Sequence, residues 1–145
     1  MGKDAVTTIE QNFPTNLDKN NPIKLAIANP ELAPYGKSAQ SWLDSQKLSN
    51  QVKDHVVMGD NIEQTFTFAH TGNADFVLVA VSQLLGNPKP VPPSQYLILP
   101  ASSYPATKQD GLILQNSPTS EAFVKFLLSP QAQAILLKSG YLPIS

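Results

Sequence analysis

From Ile23 to Val81, apolar runs of strand length alternate with patterns of helical period, and few folds accommodate that alternation. Ile23-Lys24-Leu25-Ala26-Ile27-Ala28 reads as a buried strand that Asn29-Pro30 ends. From Gly36 to Leu48, Ala39, Trp42 and Leu43 fall at i, i+3 and i+4, one face of a helix. A second unit opens with His55-Val56-Val57-Met58 and Gly59. Asp60 then stands three residues before Glu63, the spacing of a capping box, ahead of a helix expected to bury Ile62, Phe66 and Ala69. Thr71-Gly72-Asn73 closes that helix, with Gly72 suited to a left-handed C-cap. Ala74 to Val81, the most continuous apolar run, predicts a central parallel strand. Repeated strand and helix specify an α/β fold: a three-layer arrangement, a sheet flanked by helices.

Two strand-to-helix corners result, Ala28-Asn29-Pro30-Glu31-Leu32-Ala33-Pro34-Tyr35-Gly36 and Gly59-Asp60-Asn61-Ile62-Glu63. The first N–H groups of a helix have no intrahelical partner, and open α/β sheets bind ligands beyond the carboxyl ends of their strands. Helix N-termini favour negative charge, so the pair invites an anion. The plainer alternative has Tyr35 packing on its own helix and Asp60 satisfying the second corner. All the basic residues are Lys and none is Arg, so no guanidinium fork is available. An oxyanion here would be held by N–H groups, hydroxyls or a Lys point charge.

The remainder is less regular. Residues 1–22 are polar, with Pro14 and Pro22, and read as an arm and crossover. Gly86 to Pro93 holds four prolines in eight residues, a stiff connector. Tyr96-Leu97-Ile98-Leu99 and Gly111-Leu112-Ile113-Leu114 read as strands. Ser117-Pro118 and Ser129-Pro130 are N-cap and N1 pairs opening two further helices, with Phe123, Phe126, Leu127 and then Ala134, Ile135, Leu136.

Several function classes are disfavoured. His55 and His70 flank regular elements and belong to no catalytic motif, and there is no nucleophile elbow, His-Glu-x-x-His or phosphate-cradling glycine loop. An enzyme is not expected. Asp54, Asp60 and Asp75 have ordinary positions at turns or caps, so no metal cation and no cofactor are expected. A formal charge of -1 with scattered Lys gives no nucleic-acid footprint. No apolar run approaches a membrane span, and without Cys there are no disulfides. Met1-Gly2-Lys3-Asp4-Ala5-Val6 carries no apolar signal region, so if the protein is secreted its signal is expected outside this chain.

The segment Ile23 to Ile144 resembles the periplasmic molybdate-binding proteins of bacterial ABC transporters. The resemblance rests on Leu25-Ala26-Ile27-Ala28-Asn29-Pro30 with Ala33-Pro34-Tyr35-Gly36, Gly59-Asp60-Asn61-Ile62, Thr71-Gly72-Asn73-Ala74-Asp75, Tyr104-Pro105, and Phe123 to Leu127 through Gly140-Tyr141. It implies a periplasmic-binding-protein-like fold, whose two α/β lobes close on a tetrahedral oxyanion held by N–H groups and hydroxyls. It further implies that Tyr35 and Ile62 donate backbone N–H groups, with Gly36 and Asn61 beside them in the ligand-binding set. Where some members place a Tyr hydroxyl, this chain has Ala80; the Tyr35 hydroxyl is a candidate replacement.

By the same resemblance, residues 1–22 are an arm and crossover and 23–105 the second lobe, while 106–145 returns to the first, whose opening ligand-bearing part nothing here matches. The resemblance implies molybdate or tungstate as transported ligand, an ABC-transporter permease as partner and a periplasmic or extracytoplasmic location. Self-association through the surface facing the other lobe is a further expectation. Two alternatives come from other classes: an interaction or scaffold domain that keeps the fold without binding anion, and the effector domain of a transcription regulator.

Overall fold

Parallel pairing around one short buried strand organises the chain. The computed structural model describes residues 23–89 and 91–142; the expected arm at 1–22 lies outside them. They divide into two compact units, residues 23–80 with 91–107, and 81–89 with 108–142. Each unit is described by itself.

In the first unit the order is β1 (Leu25–Ala28), α1 (Pro34–Ser45), α2 (Ser49–Val52), β2 (Val56–Gly59), α3 (Ile62–His70) and β3 (Phe76–Val77). The sheet order is β2-β1-β3, all parallel. The central strand is therefore β1, buried throughout, and not the longer apolar run Ala74 to Val81. That run forms a ladder only at Phe76 and Val77, at one side of the sheet, with Leu78 N–H adding a bond to Ala26 O at 3.0 Å. A central place depends on having a neighbour on each side, and β1 has them. Asp75 fixes where β3 begins: its Oδ2 accepts the Lys24 N–H at 2.8 Å.

Strand alternation sends Leu25 and Ile27 to one face, where they meet Ala39, Trp42 and Leu43 of α1 together with Leu48 and Val52. The predicted helical stripe is thus the core stripe. The connection β1–β2 runs to one side and β2–β3 back across to the other, so right-handed crossovers put α1 and α3 on opposite faces. The small Ala26 and Ala28 occupy the second face of β1. The stripe expected on α3 is only partly realised: Ile62 and Phe66 are half-buried and Ala69 is exposed, while Thr65 is the wholly buried residue.

Helix α1 ends in a Schellman turn. Leu48 N–H donates to Leu43 O at 2.8 Å and Lys47 N–H to Asp44 O at 3.0 Å, with Lys47 left-handed at φ 59. Helix α3 ends the same way at Gly72, φ 71, as the sequence predicts, with Asn73 N–H donating to Phe68 O at 3.0 Å. Both histidines have backbone partners: His55 Nδ1 lies 3.1 Å from Ile23 O and His70 Nδ1 3.2 Å from Phe66 O.

Residues 91–107 contribute two 3-10 turns, Pro93–Gln95 and Ala101–Ser103. Leu99 and Tyr104 pack on the core. The stretch from Ala101 to Thr107 straps across α1, where Ser45 Oγ donates to Ser103 O at 3.1 Å and the Ser38 and Thr107 hydroxyls are 2.7 Å apart. Neither Tyr96–Leu99 nor Gly111–Leu114 forms the expected strand. Their apolar pattern is present, but a strand exists only where another backbone supplies ladder partners, and none does so among the described residues.

The second unit holds α4 (Val81–Leu85), α5 (Pro118–Leu127) and α6 (Pro130–Lys138). Ser117 and Ser129 cap α5 and α6 with proline at N1, as their Ser-Pro pairs predict. Phe123 and Phe126 on α5 and Ile135 and Leu137 on α6 are exposed. No helix among the described residues is long and apolar enough to cross a membrane.

Candidate functional site

The register Ala28↔Gly59 brings the ends of β1 and β2 side by side, so both strand-to-helix corners open at the carboxyl end of one sheet. Asn29 N–H donates to Gly59 O at 2.7 Å and ties the two corners at their base.

The first corner is built on Asn29. Its Oδ1 accepts Glu31 N–H at 2.9 Å and its carbonyl accepts Leu32 and Ala33 N–H at 3.1 and 2.9 Å, turning the chain back over the strand end. Ala33 is the N-cap of α1 and has no side chain that caps. Pro34, Tyr35 and Gly36 follow as the first turn. Gly36 is buried, and a Cβ there would lie 2.3 Å from Ala28 O and 2.7 Å from Asn29 O. The first turn of α1 therefore rests directly on the backbone at the end of β1.

The second corner is capped by Asn61, and not by Asp60 as the spacing to Glu63 suggests. Asn61 is extended, φ -148 and ψ 174, and its Oδ1 accepts Gln64 N–H at 2.9 Å. Gln64 Oε1 in turn accepts Asp60 N–H at 2.6 Å. The sequence Asp60-Asn61-Ile62-Glu63-Gln64 contains two overlapping boxes offset by one residue. The structure caps at the inner one and completes half of its box, because Gly59 closes β2 and the Gln64 side chain reaches one residue past the cap, to Asp60 N–H. Thr65 completes the corner: its N–H and Oγ1 both donate to Asn61 O, at 3.1 and 2.8 Å.

The four sequence-derived candidates thus sit at one end of the sheet in different environments. Tyr35 and Ile62 are half-buried at positions N2 and N1 of their helices. Gly36 N–H donates to Ala33 O at 3.0 Å, and the Asn61 side chain serves as a cap. Gln64 and Thr65 were not singled out by the sequence pattern; the Asn61-x-x-Gln64 spacing was the available signal. Beside the first corner, a groove of about 340 Å³ runs along α1, lined by Pro34, Lys37, Ser38, Ser41, Pro105 and Thr107. Among the described residues no cluster of three or more His, Cys, Asp or Glu could hold a metal ion.

The molybdate-binding protein ModA of Azotobacter vinelandii is 35% identical over 128 residues, 86% of this chain and 50% of its own length. ModA of Rhodobacter capsulatus is 33% identical over 120 residues, 81% of this chain and 46% of its own. The solved periplasmic molybdate-binding protein of Azotobacter vinelandii superposes with a TM-score of 0.71 at 25% identity, covering 85% of this chain and 55% of that one. The chain spans about half the length of these relatives. The family model described as bacterial extracellular solute-binding protein matches residues 6–142, nearly the whole sequence, and the chain belongs to that family.

Proposed function

We propose that this chain binds a tetrahedral oxyanion, molybdate or tungstate, as part of an extracytoplasmic solute-binding protein that delivers its ligand to an ABC-transporter permease. It is a binding protein and not an enzyme. One observation carries the reading: the Ala28↔Gly59 register sets two helix starts side by side at the carboxyl end of the sheet. Relatives named for molybdate binding support the choice of ligand. In this reading Tyr35 and Ile62 present their N–H groups to the oxyanion, and Gly36 and Asn61 shape the two turns that carry them.

A shell of donors without acceptors selects by protonation. Molybdate and tungstate are fully ionised near neutral pH, whereas phosphate retains a proton that needs an acceptor; leaving it unpaired costs roughly 1 to 3 kcal/mol. Sulfate is also fully ionised, so cavity size must discriminate against it. Titration calorimetry with molybdate, sulfate and phosphate tests the proposal. Molybdate is expected to bind with phosphate at least ~5-fold weaker, the lower end of that penalty. Equal binding of phosphate removes the donor-only shell, and no binding of any of the three returns the chain to a scaffold role. The Tyr35→Phe variant then separates hydroxyl from amide: weaker binding assigns the hydroxyl a contact, and unchanged binding leaves the N–H as the donor.

A further inference from the structure

Thr65 is wholly buried in α3, and it is the buried polar residue of the described core. A threonine hydroxyl returning to the carbonyl four residues back is an ordinary helical contact. What distinguishes this one is the carbonyl it reaches. Asn61 is the N-cap, and its carbonyl accepts both the Thr65 N–H at 3.1 Å and the Thr65 hydroxyl at 2.8 Å. The Asn61 carbonyl and the Ile62 N–H belong to one planar trans peptide, in which they point in opposite directions. Two bonds on the oxygen therefore fix the direction of the Ile62 N–H.

The surroundings reinforce that constraint. A Cβ on Gly59 would lie 2.5 Å from Thr65 Oγ1 and 2.9 Å from Thr65 N, so the bare glycine is what admits the hydroxyl beneath the corner. On the other side, Gln64 holds Asp60 N–H with its side chain and the Asn61 side chain with its own N–H. The Gly59–Asp60 and Asn61–Ile62 peptide planes are thus both held from within the helix.

We infer that Thr65 is the positioning residue of the second corner, aiming the Ile62 N–H at the oxyanion by clamping the Asn61 carbonyl. The ligand part of this inference rests on the oxyanion reading above. Preorganised donors bind more tightly because their orientation is not fixed at the expense of binding. Thr65→Val keeps the shape and the backbone bond and deletes only the hydroxyl. Measured by calorimetry well below the melting temperature, it is expected to bind molybdate roughly fivefold more weakly, the worth of one hydrogen bond. Thr65→Ser, which retains the hydroxyl, is expected to restore affinity to within about twofold, since only a methyl group is lost near the site.

A second readout needs no ligand. In amide exchange of the intact chain, Thr65→Val is expected to speed exchange at Ile62 while leaving Phe66 to Ala69 unchanged; a general loosening of α3 would move all of them. Parental affinity in Thr65→Val, failure of Thr65→Ser to restore binding, or unchanged Ile62 exchange overturns the assignment. Absence of molybdate binding by the parent chain overturns the oxyanion reading instead, and the exchange experiment still decides whether Thr65 positions the Ile62 amide.

Discussion

The two corners reach the same end of the sheet by opposite means. At the first, hydrogen bonds to Asn29 shape the turn, but Ala33 supplies no side-chain cap and the helix itself is seated by contact: Gly36 lets its first turn lie against Ala28 O and Asn29. At the second, location comes from bonding, through Asn61, Gln64 and Thr65. A helix start seated by one close contact has one point of failure, whereas one capped by several hydrogen bonds loses its geometry in steps. The first is also tied to the second through the bond from Asn29 N–H to Gly59 O, so each limits the other's movement.

The comparison fails or sharpens under substitution. The largest expected effect is Gly36→Ala, because the new Cβ meets backbone that cannot swing aside; it should destabilise the chain by roughly 3 kcal/mol in a denaturant titration. A loss under about 1 kcal/mol, the cost of a single cap, would make the two corners alike. Next is Asn61→Ala, expected to cost about 1 kcal/mol because one cap goes while the Thr65 bonds remain. A much larger loss would show that the second corner also hangs on a single residue. Smallest is Ala33→Ser, which offers the first corner the cap it lacks and should raise stability by about 0.5 kcal/mol. Destabilisation instead would mean that contact at Gly36 leaves no freedom for a capping geometry.

Where local chemistry decides an element, the sequence displays it. The Ser117-Pro118 and Ser129-Pro130 helix starts, the Gly72 C-cap and the Ala39, Trp42, Leu43 stripe all depend on neighbours in the chain. Where a choice depends on something remote, the pattern is ambiguous. Asp60 and Asn61 both have a partner three residues on, and only the end of β2 at Gly59 selects Asn61. The helix from Gly36 reads on to Leu48 because its left-handed stop is Lys47, which carries none of the signal a glycine would. Tyr96–Leu99 and Gly111–Leu114 have strand composition without a ladder, a property no segment holds alone. The corners as places were legible for the same reason as the caps, whereas Gln64 and Thr65 required knowing which carbonyl each would reach.

The strap from Ala101 to Thr107 has a consequence for the order in which the molecule assembles. Its bonds to α1 join Ser45 to Ser103 and Ser38 to Thr107, separations of 58 and 69 residues. The strands β1 and β2 meet across a much shorter loop, and closing the longer ones carries additional entropy, so the strap is expected to dock after the sheet exists. By the same reasoning it is an early piece to detach under mild denaturant, a sub-global opening in which α1 keeps its sheet-facing side chains packed while its outer hydroxyls return to water. The groove beside Lys37 is therefore a feature of the last folding step, present only once the chain has come back over a helix laid down long before.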